Sequence, residues 1–221
     1  MKLNKYIDHT LLKPTATKDD IIQLCHEAME YNFFSVCVNS CYVSLAKKEL
    51  QGSNVKVCSV VGFPLGAMST KAKVFETTQA LKDGADEIDM VINIGFLKSK
   101  DFDAVWKDIE AVKNVIPHKV LKVILETSYL EELEIIKASE LAIQSGADFI
   151  KTSTGFGPGG ATLHDVKLMK IVAEHCNTKI KASGGIRDYK TAMEFINLGV
   201  ERLGVSSGIA IMKGETSNSD Y

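Results

Sequence analysis

Several features are missing from this chain, and each absence closes off a class of function. No apolar run approaches the ~18 residues that a membrane-spanning helix needs. The segment Met1 to Asp8 is polar and carries no apolar signal core. Charge of one sign is not in excess: the net is −2, so no overall field favours nucleic acid or an anionic membrane. Proline numbers only 4, which argues against low-complexity linkers. Cysteine is present in an odd count of 5 (Cys25, Cys37, Cys41, Cys58, Cys176) without a Cys-x-x-Cys pair. That pattern fits free thiols in a reducing cytoplasm better than a disulfide framework. Cys37 and Cys41 lack a second ligand pair for structural zinc. The 5 histidines form neither His-x-His nor His-Glu-x-x-His, so the sequence predicts no metal and no cofactor. No Gly-x-Ser-x-Gly elbow or P-loop appears. The run Gly155 to Gly160 has the look of a dinucleotide loop but lacks an acidic ribose partner after the next strand.

What remains is a chain of 221 residues, 45% hydrophobic and 24% charged, which reads as one soluble α/β domain. Helical patterns are expected at Lys18 to Tyr31, Thr70 to Asp83, Asp101 to Ile116, Leu130 to Ser145, Leu163 to His175 and Asp188 to Leu198. The first follows Thr17, with Asp20 placed for a capping box. Between the helices lie eight short apolar runs: Tyr6 to Thr10, Phe34 to Val38, Lys56 to Val61, Glu87 to Val91, Leu121 to Leu125, Phe149 to Lys151, Lys179 to Ala182 and Arg202 to Val205. Several are continuously apolar, as parallel strands covered on both faces should be. Eight alternating units in so short a chain predict a single (β/α)8 TIM barrel. The expected division is a barrel over residues 1–213 and a short, polar, mobile tail over 214–221.

A weak repeat refines this. Gly84-Ala85-Asp86, Gly146-Ala147-Asp148 and Gly199-Val200-Glu201 each close a helix and open a strand, and Asn32 stands at a fourth such place. They recur about every 50–60 residues, or two strand–helix units. Five residues beyond each stand Cys37, Asp89, Lys151 and Gly204. Alternate strands of a barrel feed the same interior layer, so Asp89 and Lys151 should share a cavity at the end where active sites sit.

Lys151 and Lys181 are the most informative residues, because each ends or interrupts a short apolar strand. Buried lysines are expensive unless paired or neutral, and two together repel. An unperturbed lysine is neutral in only about four molecules in ten thousand at pH 7, so a nucleophilic amine needs such surroundings. Snorkelling to solvent is the bland alternative. Asp89 reads as a proton carrier and counter-charge, or as half of a structural ion pair. Asp8 and Thr10, in Asp8-His9-Thr10, end the first strand, with Asp8 in a supporting role. Ser183-Gly184-Gly185 and Ser206-Ser207-Gly208 follow the seventh and eighth strands, where barrels often hold phosphate. Thr152-Ser153-Thr154-Gly155 could close the other side.

Asp8-His9-Thr10-Leu11-Leu12, Glu87-Ile88-Asp89-Met90-Val91-Ile92-Asn93, Lys151-Thr152-Ser153-Thr154-Gly155, Lys181-Ala182-Ser183-Gly184-Gly185-Ile186-Arg187 and Arg202-Leu203-Gly204-Val205-Ser206-Ser207 resemble the deoxyribose-phosphate aldolase family, in family order along almost the whole chain. The resemblance implies that Lys151 forms a Schiff base with acetaldehyde and that Lys181 supplies charge beside it. Asp89, Lys181, a water and the terminal Tyr221 would move protons. Cys37 would line the substrate cavity. Gly155, Gly184, Gly185, Ser206 and Ser207 match the phosphate-binding loops. The implied partners are phosphosugar and aldehyde molecules and a second copy of the chain. One departure concerns Phe156, where some members carry a phosphate-contacting lysine; a weaker phosphate preference is the expected result. From the residues alone, a sugar-phosphate isomerase using Asp89 as base and a non-catalytic phosphosugar-binding barrel remain open.

Overall fold

A computed structural model describes residues 2–217 of the protein. Short β-branched runs form eight parallel strands: β1 (Ile7–Leu11), β2 (Ser35–Val38), β3 (Lys56–Val61), β4 (Glu87–Val91), β5 (Val120–Ile124), β6 (Phe149–Lys151), β7 (Lys179–Ser183) and β8 (Arg202–Val205). Each pairs with its sequence neighbour, and β8 closes on β1, with Asp8 opposite Gly204. The result is the closed (β/α)8 barrel that the alternation predicts. The strands are almost wholly buried because helices cover their outer faces and side chains fill the inside.

The connecting helices are α1 (Lys18–Glu30), α2 (Val43–Glu49), α3 (Thr70–Lys82), α4 (Ile94–Lys98), α5 (Phe102–Val115), α6 (Glu132–Gln144), α7 (Leu163–Ala173), α8 (Tyr189–Asn197) and α9 (Gly208–Lys213). Thr17 and Asp20 form the predicted capping box at the start of α1. Asp101 and Asp188, expected as helical residues, are instead N-caps whose carboxylates accept from Ala104 N and Thr191 N. The short helices α2, α4 and α9 were not expected: one or two turns do not develop a readable 3.6-residue period.

The repeated helix-to-strand turn is one geometry used four times. Asn32, Gly84, Gly146 and Gly199 all take positive φ. The following amide reaches back five residues in each: Phe33 to Ala28, Ala85 to Ala80, Ala147 to Ala142 and Val200 to Phe195. This is the closure in which a left-handed residue lets the last carbonyls be satisfied. It feeds the even-numbered strands at matched heights, which sets the registers inside the barrel.

At the other end of the chain, Gly214 closes α9 and Ser217 N donates to the Arg187 carbonyl at 3.0 Å. Tyr221 lies outside the described residues. Among those described, no helix is long and apolar enough to cross a membrane.

Candidate active site

Seven charged side chains meet inside the barrel, all of them buried. Six form a closed ring. Asp8 Oδ1 accepts from Arg202 Nε at 2.7 Å, and Arg202 Nη2 reaches Glu87 Oε2 at 2.5 Å. Glu87 Oε2 lies 2.6 Å from Lys122 Nζ, which lies 2.8 Å from Asp89 Oδ1. Asp89 Oδ2 lies 2.8 Å from Lys181 Nζ, and Lys181 returns to Asp8 Oδ2 at 2.6 Å. Three cations thus alternate with three carboxylates. Lys151 stands outside the ring, held 2.8 Å from the same Asp89 Oδ2 that takes Lys181.

The barrel registers explain this meeting. Asp89 is opposite Lys122, Lys151 opposite Lys181, and Lys181 opposite Arg202. Arg202 is further clamped by the Phe34 ring, 3.4 Å from its guanidinium carbon. Gly204 supplies space: a Cβ there would stand 3.0 Å from Lys181 Cε and 2.9 Å from Ser183 Cβ. A methyl at this point would push the lysine off its two carboxylates.

The ring is electrostatically locked. Burial pushes the Asp89 carboxyl upward, but Lys122, Lys151 and Lys181 together outweigh it and hold the group well below the usual carboxylate range. Asp8 is likewise lowered, burial being overcome chiefly by Arg202 and Lys181. Burial opposes the charge on Lys181, yet Asp8 and Asp89 leave it raised. Lys122 is raised by Asp89, Cys58 and Glu87 against the same burial penalty. A carboxylate held so low is a firm counter-charge and a poor free base at neutral pH.

The other predicted residues fall into three places. Cys37 is buried next to Cys58 and Asp89. Thr10 spends its hydroxyl on the Asp8 carbonyl at 2.8 Å. Thr154, just past Lys151, is held by Glu126, whose carboxylate accepts from Thr154 N at 3.2 Å and from Thr154 Oγ1. Glu126 itself adopts a left-handed backbone, φ 57 and ψ 60, and burial pushes its carboxyl up. The third place is a crevice beyond β7 and β8 lined by Gly184, Gly185, Gly204 and Ser206, with Arg187. Ser207 directs its hydroxyl to the Ile186 carbonyl at 2.9 Å, so it braces this crevice. Gly155 turns the β6 loop at positive φ. That loop then meets the β7 turn backbone to backbone: Ala161 N donates to the Ser183 and Gly184 carbonyls, and a Cβ on Gly160 would stand 2.3 Å from the Gly184 oxygen. Phe156 is apart from the crevice, edge-on to Phe63 with centroids 5.4 Å apart.

A family model described as DeoC/LacD family aldolase matches residues 2–214. The chain belongs to that aldolase family. A deoxyribose-phosphate aldolase from Finegoldia magna is 60% identical over 97% of this chain and 100% of its own length. One from Streptococcus gordonii is 55% identical over the full length of both. Among solved structures, a putative deoxyribose-phosphate aldolase from Coccidioides immitis superposes with TM-score 0.94 at 44% identity, covering 96% of this chain and 85% of that one. A deoxyribose phosphate aldolase from Aeropyrum pernix, described as tetrameric, gives 0.89 at 32% identity, covering 96% and 89%.

Part of this cluster is not marked in the sequence. Lys122, Glu87, Arg202, Cys58 and Glu126 were not singled out. Leu121-Lys122-Val123 carries the same signature as Ile180-Lys181-Ala182, a lysine inside an apolar strand, and that signal could have found it. Nothing local marks Glu126, whose part depends on a left-handed turn.

Proposed function

We propose that the protein reversibly cleaves 2-deoxy-D-ribose 5-phosphate to D-glyceraldehyde 3-phosphate and acetaldehyde through a Schiff base on Lys151, in the breakdown of deoxynucleosides. The observation that carries this reading is the position of Lys151 outside a charge-balanced ring. Lys122, Lys181 and Arg202 each touch two carboxylates, whereas Lys151 touches only Asp89. Four cations against three carboxylates leave Lys151 the one amine of the cluster with a single carboxylate partner. A Schiff base forms from the neutral form of such an amine.

In the cleavage direction the Lys151 nitrogen adds to the aldehyde carbon of the open-chain sugar, and water leaves as the iminium forms. Deprotonation of the C3 hydroxyl breaks the C2–C3 bond, and its electrons move onto the iminium nitrogen as an enamine. The three-carbon phosphate departs. Protonation of the enamine carbon and hydrolysis release acetaldehyde and restore the amine. The iminium puts a positive charge where Asp89 Oδ2 already waits, a case of stabilisation by a preorganised counter-charge. By resemblance Asp89 and Lys181 carry protons here; with the carboxyl held low and the amine held high, the reading we favour has them orient a water that carries the proton, Asp89 serving as its counter-charge. Tyr221 is included in that role by resemblance alone. The crevice of Gly184, Gly185, Gly204 and Ser206 is the proposed seat of the phosphate, bound through backbone amides.

The partners in this reading are the phosphosugar, the aldehyde and a second copy of the chain, for which exposed Phe75 and Leu133 offer apolar surface; sedimentation reads the last of these. The five thiols, all free, fit a cytoplasmic location. Borohydride added with substrate tests the central step. It should inactivate irreversibly and add the mass of the reduced adduct to the Lys151 peptide, and Lys151→Ala should abolish turnover. An isomerase working through Asp89 would leave Lys151 unlabelled, and near wild-type activity in Lys151→Ala would refute the assignment.

A further inference from the structure

Glu126 was not among the expected site residues, and the mechanism above does not use it. It stands just past β5 in a left-handed backbone, φ 57 and ψ 60, which a residue with a Cβ keeps only where its surroundings hold it. Its carboxylate is almost wholly buried, so its oxygens need partners. They find them in one residue of the next loop. Both accept from Thr154 N, at 3.2 and 3.3 Å, and one also accepts from Thr154 Oγ1. Thr154 Oγ1 in turn accepts from Phe156 N at 3.0 Å. One side chain thereby fixes the turn from Thr154 to Phe156.

Close backbone approach extends the hold. A Cβ on Gly157 would stand 3.1 Å from Glu126 Cδ and Oε1, and one on Gly159 3.1 Å from Ser128 Cβ. Leu125 N donates to the Lys151 carbonyl at 2.9 Å, and Thr127 N to the Thr152 carbonyl at 3.0 Å. The segment from Leu125 to Ser128 is thus a template along which the chain from Lys151 to Gly159 is laid. That chain begins at the proposed nucleophile and leads to Gly160, which packs on the Gly184 carbonyl in the turn proposed to seat the phosphate. We propose that Glu126 is a positioning residue that carries phosphate recognition into carbon–carbon bond cleavage, and so sets the preference for phosphorylated over free deoxyribose.

The sugar must span both ends of this frame. Binding energy at a remote group speeds the reaction only when it is spent on placing the reacting atoms. A displacement of about 1 Å at the reacting carbon costs on the order of 100-fold in rate. A carboxylate suits the task because both of its oxygens accept, so it takes the amide and the hydroxyl of Thr154 together. Glutamine keeps the shape but sets an N–H group against the Thr154 amide or turns it toward other neighbours. Burial pushes the Glu126 carboxyl up, against the Thr154 hydrogen bonds and the charge of Lys151, whose field reaches it. The inference rests on the roles proposed above for Lys151 and for the crevice.

The test compares the full chain with Glu126→Gln on two substrates, deoxyribose 5-phosphate and deoxyribose. On the phosphorylated sugar kcat should fall by on the order of 10–100-fold with KM near the wild-type value. On deoxyribose the loss should be much smaller, so that the ratio of the two kcat/KM values drops by about tenfold or more. Borohydride with acetaldehyde alone should still label Lys151 in the variant, because imine formation needs no phosphate. Gly157→Ala crowds the same carboxylate without removing a hydrogen-bonding group. It should show the same selective loss in smaller measure, and it decides the matter if Glu126→Gln does not fold. Equal losses on the two sugars, a loss confined to KM, or no loss overturns the inference, as does a wild type with no preference for the phosphorylated sugar. A wild type that borohydride fails to label indicts the Schiff-base reading instead, and the ratio for the two sugars still decides whether Glu126 sets the preference.

Discussion

Two fully buried ionic groups among the described residues are built on opposite plans. Outside the barrel, between α3 and α5, Lys73 Nζ meets Asp108 Oδ2 at 2.5 Å. Thr70 donates to the other Asp108 oxygen at 2.8 Å, and Lys73 also donates to the Val91 carbonyl at 2.8 Å. That pair is one to one, with its partners saturated. Inside the barrel the count is four cations to three carboxylates, and one carboxylate oxygen serves two amines. The contrast is one of partners: a closed pair fixes two helices, whereas the larger cluster leaves one amine, Lys151, sharing its single carboxylate oxygen with another.

The sharpest way to break the comparison is Lys181→Leu. It should cut kcat/KM by on the order of 10²–10⁴-fold, the range of a positioned proton-transfer group. It should also leave the chain folded, because Lys122, Lys151 and Arg202 then face three carboxylates. Steady-state kinetics beside urea denaturation read both, and unfolding of this variant would contradict the balance argument. Lys73→Met should do the reverse. It strands Asp108 and should cost about 3–5 kcal/mol of stability with kcat unchanged at temperatures where the variant is folded. Lys73→Met with Asp108→Leu should recover most of that loss; a double variant no better than the single would count against a simple pair.

Acid provides a third, smaller handle. Asp8 and Asp89 have lowered folded values, so their stabilisation is present above the unfolded value of about 3.9 and is lost as pH falls through the folded one. Urea midpoints of the wild type should therefore decline below about pH 4. Asp8→Asn should begin lower at pH 7 and decline less steeply below pH 4; parallel curves would show that Asp8 is not among the groups responsible. The smallest effect should come from a cation placed outside both groups. Phe156→Lys should raise the preference for deoxyribose 5-phosphate over deoxyribose by about fivefold, since an ion pair at so exposed a position is worth about 1 kcal/mol at most. An unchanged ratio of kcat/KM values would mean that residue 156 does not reach the phosphate.

Most of the barrel was legible because strands buried on both faces leave continuous apolar runs. Four of the eight predicted strands, β3, β4, β6 and β8, have both bounds where expected, and β2 also ends where expected. Lys151, Lys181 and Asp89 were legible for a related reason, being charges set in apolar strands. Lys122 shares that setting but is not followed by a glycine-rich loop, so it did not draw notice. Glu87 and Arg202 open their strands, where a charge ordinarily faces water. Arg202, which joins Glu87 to Asp8, reaches Asp8 only because β8 closes against β1 across a separation of 194 residues, which no local pattern reports. The ring is thus a property of closure, not of any one segment.

Where Gly160 rests on the Gly184 carbonyl, bare backbone touches bare backbone, with no side chain between to yield. The stretch leading away from Lys151, the proposed nucleophile, and the turn proposed to seat the far end of the sugar are therefore mechanically one piece. A ligand lacking its phosphate should lose speed as well as grip, because what is felt at one end is delivered rigidly to the other.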